Sequence, residues 1–248
     1  PARGAGAVDR EDAREAVDSV GVDKEFPKPL PDSSTVKGWG VAPGSAAWWN
    51  AGGGGNSAAA MAARLASTEC TTPVATSPGP RLTVLPTDTV VNIRVVNMLL
   101  TAEGGEGVSV TIPGQPAPSP LGPTWTDGSV GGGAGAGGPG GRRVRSWGVE
   151  AAPDGGQATY EWTGANALRP GTYLYHSGTH PQVQVQMGLY GAITRDAAAG
   201  EADAGTLYDN ETLIVYSEIA TVLHDDVTSG AHPPSTHHPD PDYYLVNA

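Results

Sequence analysis

Arg169-Pro170-Gly171-Thr172-Tyr173-Leu174-Tyr175-His176-Ser177 is the stretch that decides the fold, because a Pro-Gly pair opens a short run of β-branched and aromatic residues. Such a run reads as a strand over residues 171–177. Working outward, the same texture recurs at residues 81–85, 88–97, 108–112, 143–149 and 157–162, and it continues at 183–194 and 211–219. Gly, Pro and Asp separate these runs. Regularly spaced short strands of this kind predict an antiparallel β-sandwich rather than a parallel sheet with crossover helices.

Composition supports that reading. The 248 residues include 36 Gly and 22 Pro with only 16% charged residues, the profile of many strands joined by turns. A net charge of -12 opposes phosphate backbones and anionic membrane surfaces, and the longest basic cluster is Arg142-Arg143-Val144-Arg145. Nucleic acid is therefore not an expected partner. Neither a long apolar run nor a basic-then-apolar leader is present, so no membrane insertion is expected. The single cysteine, Cys70, cannot form an internal disulfide; it reads as an inert buried thiol or as half of an intermolecular bridge. The sequon Asn210-Glu211-Thr212 has meaning only in a eukaryotic secretory pathway.

The ends read differently from the middle. Val8, Ala13, Ala16, Val17 and Val20 fall at helical spacing before Gly21, which predicts a short amphipathic helix outside the sandwich. A second helix is expected over residues 57–66, and Trp39, Trp48 and Trp49 beside Gly-rich turns read as a packed lid. Residues 131–141 are almost pure Gly and Ala and read as an exposed loop. Beyond a Pro- and His-rich tether at residues 232–242, Tyr243-Tyr244-Leu245-Val246-Asn247 reads as a strand without a partner inside the chain. The division that follows is an extension over residues 1–70, a β domain over 71–219, and a tether with terminal strand over 220–248.

Two blocks carry a resemblance. Ser77-Pro78-Gly79-Pro80-Arg81-Leu82-Thr83-Val84, followed by Asp88-Thr89-Val90-Val91-Asn92-Ile93-Arg94-Val95-Val96-Asn97, is similar to the opening strands of multicopper oxidase domains. The opening stretch at 169–177, preceded by Gln157-Ala158-Thr159-Tyr160-Glu161-Trp162 and followed by Met187-Gly188-Leu189-Tyr190-Gly191-Ala192-Ile193, resembles that family's last strands in the same order. The resemblance covers roughly residues 78–194 and implies a cupredoxin-like Greek-key β-sandwich, with a short helical N-terminal extension and a Pro-rich C-terminal tail. It also implies a secreted, periplasmic or extracellular location.

The same resemblance implies copper. In the family, two His-x-His pairs from the first domain join two further pairs from a later domain to hold three coppers that reduce oxygen to water. Alternation in a strand places both imidazoles of such a pair on one face. Here Thr111-Ile112-Pro113-Gly114 stands where the first pair belongs, and neither Thr111 nor Pro113 offers a nitrogen donor. Of the second pair, His176 keeps its place, Gly178 stands at the partner position, and His180 follows four residues after His176. His176 and His180 are thus the candidate copper ligands, with a hydrogen-bonded loop pair as the alternative.

A type 1 copper is not expected: Met187 lies near the axial position, yet the loop before the last strand has no cysteine and Cys70 is far upstream. His224, His232, His237 and His238 lie near Asp225, Asp226, Asp240 and Asp242 in what reads as a solvated polar tail. No nucleophile elbow, zinc-protease motif or phosphate loop is present. Two functions therefore stand side by side. One is an oxidase-like cupredoxin domain, not catalytic alone, that meets another cupredoxin domain; the other is an assembly subunit polymerising with copies of itself through the terminal strand by β-augmentation.

Overall fold

Alternation within residues 90–97 and 156–163 builds the centre of the molecule. In the computed structural model, which describes residues 16–30, 32–44, 49–50, 53–66, 75–103, 105–131, 143–230 and 240–247, these runs are strands β4 (Val90–Asn97) and β7 (Gly156–Thr163). Their antiparallel register sets Val91 opposite Trp162, Ile93 opposite Tyr160 and Val95 opposite Ala158. All six side chains are buried, while Arg94, Thr159 and Glu161 between them keep partial access to solvent. Period two thus puts the apolar residues on one face.

The first strands complete this sheet. β1 (Ala16–Pro29) pairs antiparallel with β2 (Thr35–Pro43) on one side and parallel with β4 on the other, giving the order β2-β1-β4-β7. The expected helix is thereby overturned where it can be compared: residues 16–20 are strand, and residues 8–15 lie outside the described residues. Helical periodicity in that stretch yields to the unfilled edge of β4, because backbone hydrogen bonding along a sheet overrides weak local propensity.

A second sheet, β3-β9-β8, comprises β3 (Leu82–Val84), β8 (Gly171–His176) and β9 (Tyr190–Arg195), with β5 (Thr124–Trp125) and β6 (Val144–Ser146) as a short ribbon beside it in sequence. Trp39, Val91, Ile93, Tyr160 and Trp162 from the first sheet share one buried cluster with Val84, Tyr175 and Ile193 from the second. That shared core makes the two sheets a sandwich. The Trp162 indole is fully buried and donates Nε1–H to Pro116 O at 2.9 Å. Among the tryptophans read as a lid, Trp39 is instead a core residue, Trp49 lies under the Arg94 guanidinium at 5.4 Å, and Trp48 lies outside the described residues.

Helices fill the margins. α1 (Ala58–Leu65) forms where the sequence predicts it, with the Ser57 Oγ accepting from the Ala60 amide at 3.2 Å as its cap. α2 (Pro181–Met187) corrects the strand expected over residues 183–194: only the second half of that run is β9. Pro181 suits the first helical turn, and Val183, Gln184 and Met187 face inward at helical spacing. Gly188 stops the helix at φ 123, and a Cβ there would lie 2.1 Å from Trp39 O. Residues 108–112 form isolated bridges rather than a continuous strand, with Val108 opposite Ala151 and Thr111 opposite His176.

The C-terminal region departs furthest from expectation. After the small hairpin β10 (Glu201–Asp203) and β11 (Thr206–Leu207) come β12 (Tyr216–Ile219), α3 (Thr221–Thr228) and β13 (Tyr243–Val246). β13 pairs antiparallel with β12, Tyr216 opposite Val246 and Ile219 opposite Tyr243, so the terminal strand has a partner inside the chain. Burial explains it: Tyr243 and Leu245 close over the cluster of Leu30, Val36 and Ile219. Residues 211–215 of the expected preceding strand form no ladder, although Asn247 N donates to Val215 O at 2.9 Å and the Val215 amide to Asn247 Oδ1 at 2.7 Å. The Gly/Ala loop from 132 to 140, the tether from 231 to 239 and Cys70 lie outside the described residues.

Candidate functional site

Segment 176–180 leaves the end of β8 and runs between two other stretches of chain. On one side, Thr111 and His176 exchange both backbone hydrogen bonds, at 2.9 and 3.0 Å, and Gly178 N reaches Ser109 O at 3.3 Å. On the other, Trp147 N donates to Gly178 O at 3.0 Å and His180 N to Arg145 O at 3.4 Å. The segment expected to hold the first ligand pair is therefore beside the second, as the resemblance implies, but it brings Thr111 there instead of imidazole.

His176 and His180 take different partners. Nδ1 of His176 lies 2.8 Å from Ser177 O, a carbonyl that can only accept, so Nδ1 carries the proton and the lone pair sits on Nε2. His180 adopts the left-handed conformation, φ 36 and ψ 57, which is uncommon for a residue with a Cβ. From there its Nδ1 reaches Glu106 Oε2 at 2.7 Å. The Glu106 carboxylate raises the His180 pKa above its ordinary value, against the opposing pull of burial.

Glu106 is itself held from several directions. Asn97, fully buried at the end of β4, donates to Glu106 O at 2.8 Å and to Ala151 O at 3.0 Å. Gln184 Nε2 donates to Glu106 Oε1 at 3.0 Å and to Gly107 O at 2.9 Å, while its Oε1 accepts from Ser177 Oγ at 2.5 Å. None of this is announced in the sequence, since Glu106 lies 74 positions from His180 inside a Gly-rich loop. The cue is a carboxylate flanked by glycines, which no spacing rule connects to a histidine.

Beside it sits a buried hydroxyl cluster. Thr179 Oγ1 lies 2.9 Å from Ser146 Oγ, 3.2 Å from Ser109 Oγ and 3.1 Å from Glu150 Oε1, and Glu150 is paired with Arg145. Ser109, Ser146 and Thr179 are all nearly inaccessible to solvent. These groups satisfy one another, which is what buried polar side chains require. Gly178 packs into the same place: a Cβ there would stand 3.0 Å from Ser109 Oγ and 3.2 Å from Trp147 Cβ.

Three solved structures align over 94% of the chain. They are a blue copper oxidase from Nitrosomonas europaea (TM-score 0.53, 13% identity), the multicopper oxidase mgLAC (0.52, 15%), and Fet3p, a multicopper oxidase that functions in iron import (0.51, 18%). The chain has a multicopper oxidase cupredoxin-type fold. The alignments span 54%, 54% and 33% of those proteins' own chains, respectively. No family model matches the sequence, and no curated protein does.

Against the copper chemistry of multicopper oxidases, the residues present fit only in part. His176 and His180 each engage Nδ1 with a protein oxygen, and neither Nε2 has a hydrogen-bond partner among the described residues. Among the described residues, however, no group of three His, Cys, Asp or Glu side chains is placed to hold a metal ion. Met187 is a fully buried core residue of α2. His224 is not in a solvated tail: α3 buries it, with Nδ1 2.7 Å from Lys37 O and Nε2 3.0 Å from Gln186 O. His232, His237 and His238 lie outside the described residues.

Proposed function

We propose that the chain is a cupredoxin domain of a multicopper oxidase-like protein, one that offers His176 and His180 as copper donors and needs further donors from another domain or chain. The observation that carries this is the pinning of both Nδ1 atoms, by Ser177 O and by Glu106, which makes Nε2 the ring atom that each histidine can offer to a metal. Copper bound there supplies one-electron exchange; the chain's own residues hold and orient the nitrogens. Loss of the first pair at Thr111 and Pro113, together with a closed Gly178, argues that the domain alone does not turn over. A periplasmic or extracellular setting goes with this reading.

The test is copper content and visible absorption of the purified chain after copper loading, beside a His176→Ala, His180→Ala double variant. Bound copper without an intense blue band, lost in the double variant, is expected. No copper on either protein would overturn the reading and leave a scaffold. The assembly reading is disfavoured by one observation: β13 must leave β12, and expose Leu30, Val36 and Ile219, before it can complete a neighbouring sheet.

A further inference from the structure

A groove of about 410 Å³ lies between α2, the β8-β9 sheet and β12. Its apolar walls include Leu174, Val185, Tyr190 and Tyr216, of which Tyr216 is 76% exposed and Leu174 49%. This volume falls within the range of small-molecule sites, and a lining of aromatic and aliphatic groups with a few polar ones is what such sites use.

The polar residues in this groove include two that can accept from a cation. His176 lines it with a lone pair on Nε2, since its Nδ1–H is given to Ser177 O. Glu218 is an exposed acidic residue among the lining. Ser217 is among the lining residues, and its hydroxyl, shielded from solvent, has no hydrogen-bond partner among the described residues. Tyrosine faces add a quadrupole that attracts cations, and the net charge of -12 favours positive ligands over negative ones.

We infer that this groove binds a small aromatic cation, its ring between the tyrosine and valine walls and its ammonium donating to Glu218 and His176. This goes beyond the copper reading, because it asks only for an acceptor at His176 and concerns a ligand that carries no metal.

The test uses three molecules of nearly equal shape, benzylammonium, benzyl alcohol and benzoate, titrated into the full chain in metal-free buffer and followed by NMR shift changes. Benzylammonium is expected to saturate one site near α2 and β12 with Kd on the order of 1 mM, a value suited to so few atoms. Benzyl alcohol should bind at least tenfold more weakly, and benzoate should not saturate. Glu218→Gln should erase the preference for the cation, and Gln182→Trp, which places an indole from an exposed lining position into the groove, should abolish binding. Equal binding of all three molecules, or binding that survives both variants, overturns the inference. A dimer in sedimentation equilibrium that Gln182→Trp converts to monomer would also overturn it, by assigning the groove to a second copy.

Discussion

Gly178 is the residue at which restoring the family's ligand pair would fail. Gly178→His would set a Cβ 3.0 Å from Ser109 Oγ and 3.2 Å from Trp147 Cβ. Overpacking of this kind costs about 1–3 kcal/mol, so thermal unfolding should shift downward while copper content does not rise. Thr179→Val probes the same cluster from its hydroxyl side. It would leave the Ser109 and Ser146 hydroxyls and Glu150 short of a partner, and a loss of about 1–3 kcal/mol in denaturant unfolding is expected. Lys28 behaves in the opposite way. It is 5% exposed, with Ser77 O at 3.3 Å and Ser77 Oγ at 3.2 Å, and burial lowers its pKa to about 8. An amine that binds its proton less tightly folded than unfolded destabilises the fold at neutral pH, so stability should climb between pH 8 and about 10.5. Lys28→Met should raise the melting temperature at pH 7 and flatten that climb, an effect on the order of 3 kcal/mol. A variant that melts lower at pH 7 would refute the assignment. The resemblance singled out His176 by its place in a motif; Glu106 had no such signal, because a contact made across the fold leaves no trace in local spacing.

Among the elements, legibility followed periodicity. The runs read as strands over 88–97 and 157–162 form β4 (Val90–Asn97) and β7 (Gly156–Thr163), within two residues of the reading. Val183-Gln184-Val185-Gln186 alternates too, but Pro181 before it and Gly188 after it decide for a helix, whose inward face is Val183, Gln184 and Met187. A two-residue period over so few positions cannot outvote the terminators around it. β1 failed in the reverse direction, since a helical spacing of alanines and valines gave way to an available strand edge. β13 yields the prediction proper to this scale. Deleting residues 243–248 should destabilise the chain by exposing Leu30, Val36 and Ile219, lowering its melting temperature without changing its mass in solution. A polymer that dissolves into stable monomers on that deletion would instead favour strand exchange.

For the whole molecule, the shared core matters more than sequence position. Trp39 and Val41 near the beginning, Ile93 and Tyr160 in the middle, and Leu223 and Val227 near the end belong to one buried cluster. One cooperative transition is therefore expected, with far- and near-ultraviolet circular dichroism melting together; separate melting of the first forty-odd residues would contradict it. The sandwich was readable from its strands and turns, whereas the way the ends are stitched into it depends on pairings between residues far apart. β1 shows what that stitching entails. It forms a local hairpin with β2, yet its other edge, from Ala16 to Asp23, is matched only by residues 90–97. During synthesis the hairpin leaves the ribosome before β4 does and must wait, one side of its backbone bare, until β4 emerges and in turn calls for β7. Assembly of the sheet is thus timed by translation, and the interval before β4 arrives is when a stray strand could take its place.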